Sequence, residues 1–364
     1  MIDPQRTQIT IRRVAISAVL MIAFLLAACT SETPIPIPSV TPTVIPIQPS
    51  ILITPTRRPT VTPTLSQLGT EGNPIIMGFL LSPENRDAVE ACEDLVFLIE
   101  NITGYQMEYA IFPDFQSLAV AAMNGDVHLY WLAPFEYLYL HGEDAASVVL
   151  VTNHLGVYAY GVQFLANFSR GFTVYFDPVA NQSIGEMIPA LQQFSGTRPC
   201  FLSSVSIPGY YVPLGLLANT SSPTLDPVFT YSYNAVIRAL YIQGICDFGV
   251  SYALTGDPRT ASDILQNIPD AQDQVIIIWQ SEGIIPNLNL SASPDLPLNI
   301  RFRLQEAFLD LPNQPEGLSL LSTALVYKVE GLKQVQDSFY NPLRSVIAPL
   351  ELNLETITTQ TTNP

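Results

Sequence analysis

An α/β chain arranged as two lobes around a ligand cleft is what this sequence predicts, and three observations predict it. Short apolar runs alternate with amphipathic ones from residue 75 onward. The alternation comes in two successive blocks, which fits two α/β lobes sharing a chain that crosses between them twice. Apolar residues make up 48% of the 364, enough for a sizeable core and too many for global disorder.

The elements follow in order. Ile75 to Leu81 reads as a buried strand ending at Ser82-Pro83-Glu84-Asn85, with Ser82 the expected helix cap. Val89, Cys92, Leu95, Val96 and Ile99 then fall on one helical stripe that Gly104 ends. Met107 to Phe112 is a second strand, Phe115 to Met123 a helix stopped at Asn124-Gly125, and Val127 to Leu132 a third strand. This β-α-β-α-β order with short connections argues for a parallel sheet. In the second block, Cys200 to Leu202 reads as a strand, Ser203 to Pro208 as a polar turn and Gly209 to Leu217 as a helix start. Asn234 to Gln243 is a helix stopped by Gly244, and Ile245 to Val250 and Val275 to Trp279 are strands. Ile300 to Leu311 is a helix with Leu304, Phe308 and Leu311 on one stripe.

The first 70 residues are of another kind. Arg6, Arg12 and Arg13 precede the apolar run Val14 to Ala28, whose 15 residues suit a signal segment better than a membrane span. The run ends in Leu26-Ala27-Ala28-Cys29, which resembles the bacterial lipobox. That resemblance implies acylation of Cys29 and anchoring to the membrane from outside the cytoplasm. From Thr30 to about Gly69, prolines recur among Thr, Ser, Ile and Val, so the segment reads as an extended polyproline-type tether. Such a tether reaches on the order of 100 Å. The expected organisation is therefore a signal segment over 1–28, a tether over 29–70, a first lobe over 71–163 and 274–350, a second over 164–273, and a tail over 351–364.

Charge narrows the functions. With Asp3, Glu32, Arg6, Arg12, Arg13, Arg57 and Arg58 set aside, 30 acidic and 10 basic residues remain after position 70. Lys328 and Lys333 are the chain's two lysines. Binding nucleic acid needs clustered Lys and Arg to release counterions, so it is not an expected partner. His128, His141 and His154 stand on separate elements and no CxxC or HExxH occurs, so neither a metal nor a cofactor is expected. No nucleophile–base pair or phosphate loop is recognisable, which argues against an enzyme. Cys200 and Cys246 either form a bridge, if their strands are neighbours, or remain two buried thiols.

Three stretches carry a family resemblance. Ala121 to Tyr137 (AAMNGDVHLYWLAPFEY) is similar to the "G-x-V-D-x-x-W-x-G-P-x-x-Y" pattern of the phosphate/phosphite/phosphonate-type solute-binding proteins of ABC importers. Gln193 to Gly196 with Ser206 to Pro213 resembles that family's "L-x-G-K-x-V-A-F-x-x-x-S-x-S-G-Y-x-x-P". Asp337 to Arg344 (DSFYNPLR) resembles its "D-x-x-Y-x-x-L-R". The resemblance implies a type II periplasmic-binding-protein fold, with a hinge and an interlobe cleft that closes over a small ligand. It also implies a monomeric extracytoplasmic protein that delivers an oxyanion to permease subunits. Such an anion is held by hydroxyls and by N–H groups at helix N-termini. Carried over by motif, the ligand residues expected here are Ser82, Trp131, Tyr137, Ser204, Ser206, Gly209, Tyr210, Ser232 and Tyr233.

The departures from the pattern matter too. Ser206-Ile207-Pro208 lacks two expected hydroxyls, and Pro208 has no N–H to donate. Ser232-Tyr233-Asn234 stands where the family often has Ser-His-Asp, His128 replaces the Asp, and Ala133 replaces the Gly before Pro134. Trp131, Tyr137, Tyr210, Tyr211 and Tyr233 would leave an aromatic cleft, suited also to an aromatic or cationic ligand, unless they fill the lobe cores. Ser204 and Ser206 are alternatively plain helix caps. A sensory module of the same fold is the other reading of function.

Overall fold

The protein, seen in a computed structural model, is described over residues 67–361. The signal segment, Cys29 and most of the tether lie outside the described residues. Strand β1 (Ile75–Leu80) leads to helix α1 (Arg86–Thr103), then β2 (Met107–Phe112), α2 (Phe115–Asn124), β3 (Leu129–Leu132), α3 (Pro134–Gly142) and β4 (Ser147–Asn153). The α1 cap is Asn85, whose side chain accepts from the Ala88 N–H; the Ser82 hydroxyl instead accepts from Glu84 one turn earlier. Ser82 sits too far from the first turn to cap it. At the other end, Gly104 takes φ +78° and its N–H closes onto the Glu100 carbonyl. His128 serves the sheet: its Nδ1 accepts from the Ile76 N–H at 2.9 Å, extending the pairing of β1 with β3.

The chain then enters a second sheet with β5 (Ala159–Asn167), the hairpin strands β6 (Phe176–Asp177) and β7 (Gln182–Ser183), α4 (Met187–Gln192) and β8 (Pro199–Phe201). A π-helical turn, Ile207–Tyr211, opens α5 (Val212–Asn219). Strand β9 (Val228–Phe229), α6 (Tyr233–Ile242), β10 (Phe248–Ala253), α7 (Ser262–Asn267), α8 (Ala271–Gln274), β11 (Val275–Gln280) and β12 (Ile285–Pro286) complete this part. The return passes through β13 (Asn289–Ala292), α9 (Leu298–Leu309), α10 (Gly317–Ala324) and β14 (Gly331–Gln334). A 3-10 turn at Asp337–Tyr340 precedes α11 (Asn341–Ile347) and α12 (Leu354–Thr361).

The two lobes are two sheets. The first has the order β14-β4-β13-β3-β1-β2 and the second β11-β5-β10-β8-β9. The three opening strands pair in parallel, as their alternation with helices predicts. The strands added later do not, since β13 runs antiparallel to β3 and β4, and β5 antiparallel to β10 and β11. Strands that arrive from the other lobe must run opposite to those that left for it. β5 is continuous across residue 163, where the lobe boundary was expected, because its register with β10 runs from Gly161 to Ala166. β11 pairs with β5 and so belongs to the second sheet, although the return had been expected at 274. Beyond β14 the chain crosses again: α11 packs on α5, where a Cβ at Gly215 would meet the Val346 carbonyl at 2.3 Å. Then α12 returns to α3, burying Ile357 where a tail had been expected.

The crossings are braced to one another. The Asn287 amide, 2% exposed, donates to the carbonyls of Thr152 and Val157 at 3.2 and 2.7 Å. Thr152 in turn donates its N–H and hydroxyl to the Leu288 carbonyl. Each lobe has its own apolar core: Met77, Phe79, Leu95, Ile99, Leu304 and Phe308 in the first, Val236, Ile237, Leu240 and Ile264 behind the second sheet.

Cys200 and Cys246 are bonded, with Cα atoms 5.6 Å apart, because β8 lies beside β10. Cys92 is buried and its thiol pKa is pushed up to about 12 by that burial, so it is a packing residue. The bridge closes a separation of 46 residues. By loop-closure entropy its loss should cost about 4 kcal/mol, read in urea unfolding of the Cys200→Ser/Cys246→Ser variant against the oxidised protein. Equal midpoints would show that the bond contributes no such constraint.

Candidate functional site

The cleft opens where strand ends of the first sheet face the helix start of the second. A cavity of about 370 Å³ is lined by Leu80 at the end of β1 with Leu81 and Ser82 after it, Pro113 after β2, and Ala133, Phe135 and Glu136 after β3. Ile207 of the π-helical turn and Thr358 of α12 close it. Strand C-terminal ends collect here because each strand is followed by a short turn into its helix. Across the cleft the Phe135 and Tyr211 rings touch at 5.6 Å, joining the lobes in one apolar cluster.

The helix starts here have few backbone donors to spare. Pro134 and Pro208 have none. The Ala133 N–H donates to the Glu136 carboxylate at 2.7 Å, and the Gly209 N–H to Ser206 Oγ at 3.0 Å. Ser206 is therefore a helix cap whatever else it does. Gly209 is required by crowding, since a Cβ there would lie 2.4 Å from that of Leu202.

The expected ligand residues separate into groups. Ser82 lines the cavity, exposed. Trp131 does not: it is 2% exposed in the first-lobe core, edge-on to Phe308 at 5.9 Å. Its strand, β3, is buried on both faces, so the family-like tryptophan is a packing residue. Tyr137 is also turned away. It is fully buried, donates to Asp337 at 2.8 Å and lies 4.2 Å from the Tyr340 ring. Arg344 donates to the same carboxylate, which ties the "D-x-x-Y-x-x-L-R" stretch to α3. Its Asp and Arg hold the C-terminal crossing, with the Asp337 carboxyl kept below its usual range by the Arg344 and Tyr137 hydrogen bonds against an opposing burial effect that is the largest single influence. Tyr210 packs edge-on against Phe201 and Phe229, among second-lobe aromatics. Ser232 caps α6 by accepting from the Ala235 N–H. Ser204 is exposed on the turn after β8.

Tyr233 belongs to a group that sequence reasoning did not assemble. Its ring meets that of Tyr252 at 4.9 Å, nearly perpendicular. Its hydroxyl is buried and makes no hydrogen bond of good geometry, although the Ser206 side chain is near enough to influence its ionisation. Tyr160 is near both Tyr233 and Tyr327, and Tyr327 stacks on His154 at 4.4 Å beside the first crossing. Burial raises the pKa of Tyr160 and Tyr233, and that of Tyr327 to about 12, so all three present neutral hydroxyls.

Glu136 was also missed. It is 7% exposed, and burial pushes its carboxyl pKa up to about 7 against the opposing Ala133 hydrogen bond. Its sequence signal is an acidic residue three positions after a helix-start Ala-Pro, which reads as half of a capping box rather than as a cleft group. Neither Arg nor Lys lines this cavity.

The sequence matches the model of the family described as "ABC transporter, phosphonate, periplasmic substrate-binding protein" over residues 77–340. No curated protein matches it. Among solved structures, XAC2383 from Xanthomonas citri bound to ATP is similar, at 12% identity and a TM-score of 0.52, over 80% of this chain and 99% of that one. The same protein bound to chloride ion matches at 14% identity and a TM-score of 0.52, over 78% and 98%. PhnD1 from Prochlorococcus marinus in complex with methylphosphonate matches at 15% identity and a TM-score of 0.46, over 76% and 97%. Identities this low speak to the fold, the two-lobed α/β fold of periplasmic binding proteins.

Glu136 should make stability fall with rising pH. Its pKa is raised on folding, so the folded state binds the extra proton between about pH 4.5 and 7 and is favoured below that window. The loss on crossing it is at most roughly 3 kcal/mol. Urea midpoints at pH 4.5 and 8 should converge in Glu136→Gln, which keeps an acceptor for the Ala133 N–H; an unchanged pH dependence would mean that other groups cause it. The family match spans most of the chain, and this protein belongs to the phosphonate-type periplasmic substrate-binding proteins of ABC transporters.

Proposed function

We propose that the chain is a lipid-anchored solute-binding component that captures a small phosphonate-like oxyanion between its lobes and hands it to permease subunits. The observation that carries the ligand site is one cavity with Ser82, Ala133 and Glu136 on one side and Ile207 on the other. A ligand there would touch both lobes and favour their closed arrangement. The basic n-region, apolar run and Leu26-Ala27-Ala28-Cys29 support acylation of Cys29. The Pro-rich stretch after it would carry the domain away from the membrane surface.

The oxyanion would be held without a cationic side chain. Ser82 offers a hydroxyl in the cavity, and Ser204 and Ser206 lie just before Ile207 on the facing turn. Hydrogen bonds in a partly dry cleft can hold an anion that the protein's overall charge repels. Glu136 sets a condition. Protonated, it is neutral and tolerates an oxyanion; ionised, it repels one. Oxyanion affinity should therefore increase as pH falls through about 7.

The same carboxyl, with no Arg or Lys in the lining, favours a second reading in which the ligand is an organic amine seated between Glu136 and the Phe135 ring. The two readings have opposite signs with pH. Calorimetric titration of the full chain with methanesulfonate, whose charge is constant over the range, and with methylphosphonate should give about tenfold tighter binding at pH 5.5 than at pH 8.5. The ratio should approach one in Glu136→Gln for methanesulfonate. Binding of 2-phenylethylamine that strengthens at pH 8.5 and is lost in Glu136→Gln would favour the amine. Failure of both oxyanions at both pH values would end the phosphonate reading.

A further inference from the structure

A second pocket, sharing no residue with the cleft, lies where α9 faces the start of β4 and the segment after β14. It encloses about 310 Å³. Leu298, Arg301, Phe302 and Gln305 follow one another at helical spacing and present one stripe of α9 to it. Arg301 is half-buried and spends one donor, from Nη2 to the Val148 carbonyl at 2.8 Å. Among the described residues no carboxylate forms an ion pair with it. The one carboxylate in the lining, Asp337, already accepts from Arg344 and Tyr137 and lies 3.2 Å from His141.

One turn along α9 from that guanidinium, the Gln305 side chain lines the same pocket and is 9% exposed. A half-buried guanidinium that uses one donor and has no counter-charge gains from an acceptor that reaches its remaining N–H groups. Burial also lowers the Arg301 pKa, the expected effect on a cation that lacks a counter-charge. The rim is apolar: Leu298 and Phe302 are 66% and 54% exposed. In a domain with three acidic residues for each basic one, an uncompensated guanidinium under an apolar rim selects a ligand with complementary ends.

We infer that this pocket binds an amphipathic organic anion, its oxyanion head on Arg301 and Gln305 and its apolar body against Phe302 and Leu298. The guanidinium offers a fork of N–H donors that suits a carboxylate, and the Gln305 amide can add another donor from the next turn. Burial of the apolar body under Phe302 adds a contribution that an inorganic anion lacks. The site is independent of the cleft ligand, and it adjoins the segment that leads into the third crossing.

Octanoate tests it directly, with inorganic sulfate as head alone and octanol as body alone. Titrated into the full chain, octanoate should bind once per chain and at least about tenfold tighter than either control. Arg301→Gln should weaken octanoate by about tenfold or more while far-UV circular dichroism stays unchanged. Phe302→Ser, at an exposed position that leaves the core intact, should weaken octanoate and leave sulfate alone. Glu136→Gln, in the cleft, should alter none of these values. No octanoate binding, affinity unchanged in Arg301→Gln, or sulfate binding as tightly as octanoate would each overturn the proposal.

Discussion

Asn287 sits where the chain passes from one lobe to the other, and its amide binds the carbonyls on either side of the opposite passage. Much of the structure depends on that brace. Two sheets joined by separate strands could slide or shear, and a cleft built from both would then have no fixed width. The amide and Thr152 make the two passages one short ribbon, which permits rotation about it and resists translation. The third passage, through Asp337 and Arg344, adds a lock on the side of α3. Its charge-assisted hydrogen bonds are partly buried, where such bonds are strongest.

The cleft this frame creates is unusual in its electrostatics. The chain is strongly acidic, the cavity lining has no cation, and its one ionisable residue is a carboxyl whose burial keeps a proton near neutral pH. On the proposed reading, an anion there would be held by local hydroxyls and a neutral carboxyl rather than by a cation. Both helix starts contribute less than helix starts usually do, because proline removes a donor from each and a side chain occupies another.

Packing took several residues that motif reasoning assigned to the ligand. Trp131 lies in a strand buried on both faces, and Tyr137 on the face of α3 that meets the C-terminal crossing. A motif records which residues recur together, and residues that hold a fold together recur as surely as those that hold a ligand. Glu136, one residue before Tyr137, turns the other way on the same helix and reaches the cavity. A shift of one residue on a helix is a rotation of about 100°, and no pattern in one sequence says which side faces the partner lobe.

By itself the sequence determined the local elements. Apolar periodicity gave α1, α9 and the three opening strands, and glycines at 104 and 125 gave two helix ends through their left-handed conformations. It determined the charge, which argues against nucleic acid as a partner, and its ordered motifs carried the family and the fold. Tertiary structure decided the rest. That β13 runs antiparallel to β3 and β5 to β10, that β11 stays in the second sheet, and that the chain crosses a third time all follow from contacts between residues far apart in the sequence. The Cys200–Cys246 bond likewise waited on β8 lying beside β10. The site is of the same kind: Ser82, Glu136, Ile207 and Thr358 share no spacing, and only the closing of one lobe on the other puts them around one cavity.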